Sequence, residues 1–286
     1  MGQKGGVGKT VTATNMAAAI AQETPTRPLR NVLVIDVDPQ GNTERALGAE
    51  EGGEGSTVLT IADLLLAYRD GFSAEIPDYP LARTAVPGVT LAAGGNALDE
   101  IDDELGAAGR ATVREWMKGV IELLAPQYDA IVIDTPAAID ALTMGGILSA
   151  DLVICVAKPE DSFVTDALDK VDSYLLDLAD QGQAPPMVMV ANEAIPSRTQ
   201  YKLVNEIITA DEFPSLRAGT DAIGAITGKP SPWIAQIPAT VHLRNGARNG
   251  EPLVIGRRSG TEAGRKLKEM AETAMTIATT RTEVAR

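Results

Sequence analysis

The stretch KGGVGKT, residues 4–10, places glycines at 5, 6 and 8 ahead of Lys9 and Thr10. Glycine tolerates the backbone angles that turn successive N–H groups inward, so such a loop makes a nest for phosphate oxygens where a helix begins. Lys9 then brings a point charge to β/γ-phosphates, and the Thr10 hydroxyl is a ligand for Mg2+. The commoner spacing, GxxxxGK[ST], would put its first glycine at position 3, where this chain has Gln3; Lys4 stands in front as an additional cation. A loop of this kind hangs from the end of a central strand of about five residues. Only Met1, Gly2 and Gln3 precede Lys4, so the strand before the loop is expected to be lacking, through a recorded start downstream of the natural one or through truncation.

Outward from the loop, short β-branched and apolar runs recur at 31–38 (NVLVIDVD), 128–136 (YDAIVIDTP), 151–159 (DLVICVAKP), 186–192 (PMVMVAN) and 232–238 (PWIAQIP). Continuous apolar runs fit strands buried on both faces. The stretches between them read as helices at 10–22, 60–68, 112–124, 162–179, 199–210 and 261–279. Such alternation predicts right-handed βαβ crossovers, hence an α/β fold with a mostly parallel central sheet flanked by helices on both faces. No repeat or long Pro/Ser-rich linker interrupts the 286 residues, and a single domain over 1–286 is expected.

Two strands end in carboxylates: VLVIDVDPQGN carries Asp36 and Asp38, and IVIDTP carries Asp134. Ligands of open α/β sheets bind over the carboxyl ends of the strands. With Thr10, these carboxylates can hold Mg2+, largely through its waters because that ion dehydrates reluctantly. Any one strand-end Asp could merely cap the next helix; three of them together with the glycine loop point to a nucleotide site.

Composition bounds the rest. Aromatics are only 3%, so aliphatic residues must build the core. One cysteine, Cys155, and one histidine, His242, exclude a disulfide framework and a Cys/His metal cluster. The chain shows neither a leader pattern nor an apolar run of about 18 residues, and is expected to be soluble and cytoplasmic. Net charge is −14, which argues against a uniformly polyanion-binding surface. The charge is uneven, however: residues 197–286 hold 13 basic against 9 acidic residues, and residues 1–196 hold 12 against 30. Any polyanion contact should therefore come from the C-terminal third. The acidic patches at 49–55 and 99–105 read as a solvated loop and an exposed helix face. In the last helix Leu267, Met270, Ala271, Ala274, Ile277 and Ala278 form an alanine-rich stripe without Trp or Phe, which suits packing on a sheet better than a membrane surface.

KGGVGKT, VIDVDPQGN and YDAIVIDTPAA resemble the three nucleotide motifs of the ParA/Soj partition ATPases, in the deviant-Walker group that also holds MinD. The similarity extends through IADLLL, SADLVICVAKPE, SRT and AQIPATVHLRNGARNGEPL, and so covers nearly the whole chain. The resemblance implies a Mg2+-dependent ATPase that forms an ATP-sandwich homodimer. Gly5, Gly6, Val7, Gly8, Lys9 and Thr10 would cradle the phosphates, and Lys4 would reach the partner subunit's nucleotide, as an arginine finger does. Asp38 would position the attacking water, with Asp36, Asp134 and Thr10 around the metal. Asn192 and Pro238 would lie against adenine. The resemblance further implies a ParB-type centromere-binding partner and non-specific DNA binding on the nucleoid. Arg198 matches a DNA-contacting position; the arginine that commonly follows Ile-Pro is Ala239 here, and Arg244, Arg248, Arg257, Arg258, Lys266 and Lys268 could compensate. Other members of the fold read less well: a MinD-like cargo-positioning ATPase not acting on DNA is the alternative, and one cysteine per subunit disfavours a bridging iron–sulfur cluster.

Overall fold

The computed structural model describes residues 6–49, 58–159, 164–195, 199–209, 211–255 and 258–284. They pack as two compact units, one of Thr10–Ser149 with Val241–Ser259, the other of Met1–Lys9, Ala150–Thr240 and Gly260–Arg286.

The first unit runs α1 (Lys9–Ala21), β1 (Val32–Asp36), α2 (Asn42–Leu47), α3 (Ile61–Arg69), β2 (Ala82–Arg83), β3 (Val89–Ala92), α4 (Asn96–Glu100), α5 (Asp102–Ala108), α6 (Arg110–Leu124), β4 (Ala130–Asp134) and α7 (Ala141–Ser149); α11 (Val241–Asn249) joins it from the C-terminal third. Its sheet has the order β2-β3-β1-β4, parallel throughout except for the antiparallel edge β2. All five residues of β1 are buried, as a central strand requires. Leu33, Ile35 and Val37 meet Ile61, Leu64 and Leu65 of α3 and Val113, Met117, Val120 and Ile121 of α6 in one core. The apolar positions of α6 recur at helical spacing, which is why that segment coils as it does. Helix α3 starts sharply because Thr60 and Asp63 form a reciprocal capping box.

The second unit carries β5 (Val153–Ala157), α8 (Val164–Ala179), β6 (Met187–Ala194), α9 (Thr199–Ile207), α10 (Leu216–Thr227), β7 (Trp233–Pro238) and α12 (Glu262–Val284). Its three strands are parallel in the order β5-β6-β7. Helix α10 lies so close on β6 that a Cβ at Gly219 would come within 2.0 Å of the Met187 carbonyl oxygen. The stripe of α12 is buried at Leu267, Met270, Ala271, Ala274 and Ile277, and Ile277 meets Val188 of β6 and Ile223 of α10.

Each of the five strands and six helices expected from the sequence has a counterpart. The carboxylate strand stops earlier than expected, at Asp36, and Asp38 stands in the following loop. Strand β3 was not anticipated: its four residues are framed by Pro87-Gly88 and Gly94-Gly95, which read as loop. Helices α7, α10 and α11 and the short α2 were likewise unanticipated, whereas α4 and α5 fall where the acidic patch at 99–105 reads as an exposed helix face. Among the described residues no strand stands ahead of α1, and β4 and β5 each pair with one described strand. Asp99, Glu100, Asp103 and Glu104 are exposed, as a solvated helix face should be, while most of the patch at 49–55 lies outside the described residues.

Candidate nucleotide site

In the first unit, parallel pairing of β1 and β4 sets Asp36 directly beside Asp134, at the carboxyl ends of both strands. Both are buried. Burial, and then the neighbouring Asp134 charge, push the Asp36 carboxyl up from 3.8 to about 7, against the lowering effect of hydrogen bonds from Asp38 and Thr43. The Asp38 N–H donates to Asp36 Oδ1 at 2.9 Å and the Thr43 N–H to Asp36 Oδ2 at 3.4 Å. The Thr43 hydroxyl donates to Asp134 Oδ2 at 3.0 Å. Thr43, fully buried at the start of α2, thus ties the two carboxylates together.

Asp38 is half-buried; its Oδ1 accepts from the Gln40 N–H at 2.9 Å, and its carbonyl accepts from Gly41 at 3.0 Å and Gly95 at 3.2 Å. Gly94 is required at this place, since a Cβ there would come within 2.3 Å of the Asp36 carbonyl oxygen. Thr43, Gly94 and Gly95 were missed from sequence; the only local signal was the Gly-Gly-Asn at 94–96 after a short apolar run. The donor set suits Mg2+: two adjacent carboxylates repel each other, a divalent cation relieves that repulsion, and backbone donors to Asp36 and the Thr43 hydroxyl on Asp134 fix their orientation. Thr10, in the first turn of α1, belongs to this unit too.

In the second unit the glycine loop turns on Gly6 and Gly8, at φ 98° and 97°, conformations that side chains other than glycine's rarely adopt. Val7 between them is buried, and Lys9 opens α1. The Asn192 side-chain amide, at the end of β6, donates to the Val7 carbonyl at 2.8 Å in a buried setting. A Cβ on Gly8 would lie 2.0 Å from Asn192 Nδ2. Pro238 ends β7 opposite Ala194 of β6. Lys4, Gly5 and Arg198 lie outside the described residues.

Of the expected DNA-contacting residues, Arg244 and Arg248 fall on α11, and Arg248 is exposed in its last turn. Arg258 bonds the His242 Nδ1, and Lys266 pairs with Glu269 at 3.4 Å. Cys155 is buried, which pushes its thiol up, in keeping with a packing role.

A family model described as AAA domain matches residues 1–180. The chromosome partitioning protein ParA of Myxococcus xanthus is 29% identical over 195 residues, spanning 65% of this chain and 60% of its own length. The septum site-determining protein MinD of Synechocystis is 30% identical over 255 residues, spanning 88% of this chain and 79% of its own. The chain thus spans about three-fifths of that ParA. Among solved structures, the ATP complex of Cyanothece McdA superposes with a TM-score of 0.69 at 17% identity, covering 96% of this chain and 94% of that one, a likeness of fold.

Proposed function

The chain belongs to the AAA domain family as a ParA/MinD-type P-loop ATPase, and on that premise we propose that it is a partition ATPase, hydrolysing ATP with Mg2+ to drive segregation of a DNA cargo. The observation that carries the reading is the pairing of Asp36 with Asp134 at adjacent strand ends, with Asp38 two residues beyond, in a chain whose helix α1 begins at Lys9 and Thr10 of a glycine loop. Residues 1–286 act as one ATPase domain. The loop N–H groups of residues 5–10 hold the phosphates and Lys9 offsets their charge. Thr10, Asp36 and Asp134 hold Mg2+, which when bound offsets charge on the β- and γ-phosphates. Asp38 accepts a hydrogen bond from the attacking water and aims it in line. Asn192 and Pro238 meet the adenine. Lys4 crosses to the nucleotide of a second copy, so that ATP binding, dimerisation and hydrolysis are coupled.

The ATP-bound homodimer holds DNA phosphates without sequence preference through Arg198, Arg244 and Arg248 on the nucleoid, and a ParB-type partner triggers hydrolysis and release. Turnover measured with and without DNA and a centromere-binding partner tests this. Wild type should be stimulated, whereas Lys4→Ala should lose stimulated turnover and ATP-dependent dimerisation, and Asp38→Ala should lose hydrolysis while still binding ATP. Unimpaired dimerisation of Lys4→Ala would remove the trans-lysine step. DNA affinity that ignores salt would remove the phosphate-backbone contact. A second reading, a MinD-like positioning ATPase not acting on DNA, is favoured by the longer alignment with Synechocystis MinD, 88% of this chain against 65% for the ParA. ATP-dependent binding to anionic vesicles with none to DNA would select it.

A further inference from the structure

Strand β6 contains an irregularity at its carboxyl end. Ala191 pairs with Gln236 and Ala194 with Pro238, so β6 spends one more residue than β7 over this interval. The additional residue puts Asn192 and Glu193 in a bulge, a device that re-aims side chains beside functional sites. Glu193 takes φ 53°, the sole positive φ at a residue other than glycine among those described. A side chain held in that region is strained and persists where its surroundings fix it. Here Lys158, just past the end of β5, pairs with Glu193 at 2.9 Å, both side chains being only partly exposed.

The kink directs Asn192 to the loop. Asn192 is buried and its Nδ2 donates to Val7 O at 2.8 Å, between the two positive-φ glycines. Its approach is close enough that Gly8 has no room for a Cβ. We propose that Asn192 is a positioning residue for the phosphate loop: the bulge of β6, braced by the Lys158–Glu193 pair, presents its amide to Val7 and so holds residues 6–9 in the conformation that receives phosphate. This role rests on the nucleotide-binding reading, and is separate from any contact Asn192 makes with adenine. A contact with the base selects adenine, whereas a bond to Val7 supports every ligand that carries the phosphates.

A ligand without a base separates the two. Dissociation constants for ATP and for inorganic tripolyphosphate, both with Mg2+, are measured on wild type, Asn192→Ala and Asn192→Asp, alongside hydrogen exchange of the loop peptide in the nucleotide-free protein. Asn192→Asp keeps the shape and removes the donor, and melting temperature reports whether each variant is folded. The positioning role expects both variants to lose about tenfold for tripolyphosphate as well as for ATP, the scale of one buried hydrogen bond, with faster exchange over residues 6–10. Lys158→Ala, which loosens the brace only, should show a smaller loss in the same direction. Variants that weaken ATP alone, with tripolyphosphate binding and loop exchange at wild-type values, would overturn the proposal in favour of base recognition. Wild-type protein that binds neither ligand would overturn the nucleotide reading itself and the proposal with it.

Discussion

Each unit carries its own set of the expected nucleotide residues, and the two sets are held by different physics. At the ends of β1 and β4, two carboxylates are buried side by side and the Asp36 carboxyl rises to about 7. At the glycine loop, a neutral amide meets a carbonyl at 2.8 Å, and the constraint is one of space and backbone angle. The carboxylates store unfavourable charge that a cation would relieve; the loop stores a shape that a phosphate would fill. A substitution should therefore act through pH and metal at the carboxylates, and through sterics, independent of pH, at the loop.

The largest effect expected from this contrast is at Asp36. A carboxyl raised from 3.8 to about 7 binds protons more tightly folded than unfolded, so stability is full below about 4, falls as pH rises through this window, and levels off above about 7. At about 1.4 kcal/mol per tenfold change in proton affinity, the loss is on the order of 4 kcal/mol. Asp36→Asn should therefore raise the denaturant midpoint of the metal-free protein at pH 8 and flatten its profile between pH 4 and 7, while Mg2+ no longer stabilises it. A wild-type profile that is flat across this window would break the contrast at its charged end.

Next in size is Gly8→Ala. The methyl would need to displace Asn192 Nδ2 from 2.0 Å and adopt φ 97°. Left-handed strain and one lost hydrogen bond together cost about 2–3 kcal/mol, so ATP affinity should fall about a hundredfold at every pH from 6 to 9, by titration calorimetry. A loss that varied with pH would mean that charge governs the loop as well.

The smallest is Thr43→Val, which keeps volume but removes the donor to Asp134 and one of the groups that lower Asp36. About 1–2 kcal/mol of stability should go, and the falling limb of the pH profile should move to higher pH. A double-mutant cycle with Asp36→Asn sharpens the comparison, since residues in one hydrogen-bond network should not add. Strict additivity would show that Thr43 does not link the two carboxylates.

Much of this was legible in the chain. The run VLVID is apolar along its whole length and ends in a carboxylate, and that pattern by itself marks a buried strand that stops at a site. Strand β3 was not legible, because four residues between two glycine-containing turns carry too little periodicity to stand out. The stripe of α12 was legible because its spacing is helical and its alanines suit a close sheet contact. Thr43 was not, since nothing local tells that its hydroxyl will face a carboxylate 91 residues away.

By itself the sequence determined the α/β class, the glycine loop that opens α1, and the carboxylates at the strand ends, because apolar runs, glycine backbone freedom and helical spacing are all local signals. Only the tertiary structure decided that Asp36 stands beside Asp134, that Thr43 joins them, and that Asn192 reaches Val7 across 185 residues of chain. Strand register and the bulge in β6 follow from pairing and burial summed over a whole sheet, a sum to which no single stretch of sequence has access.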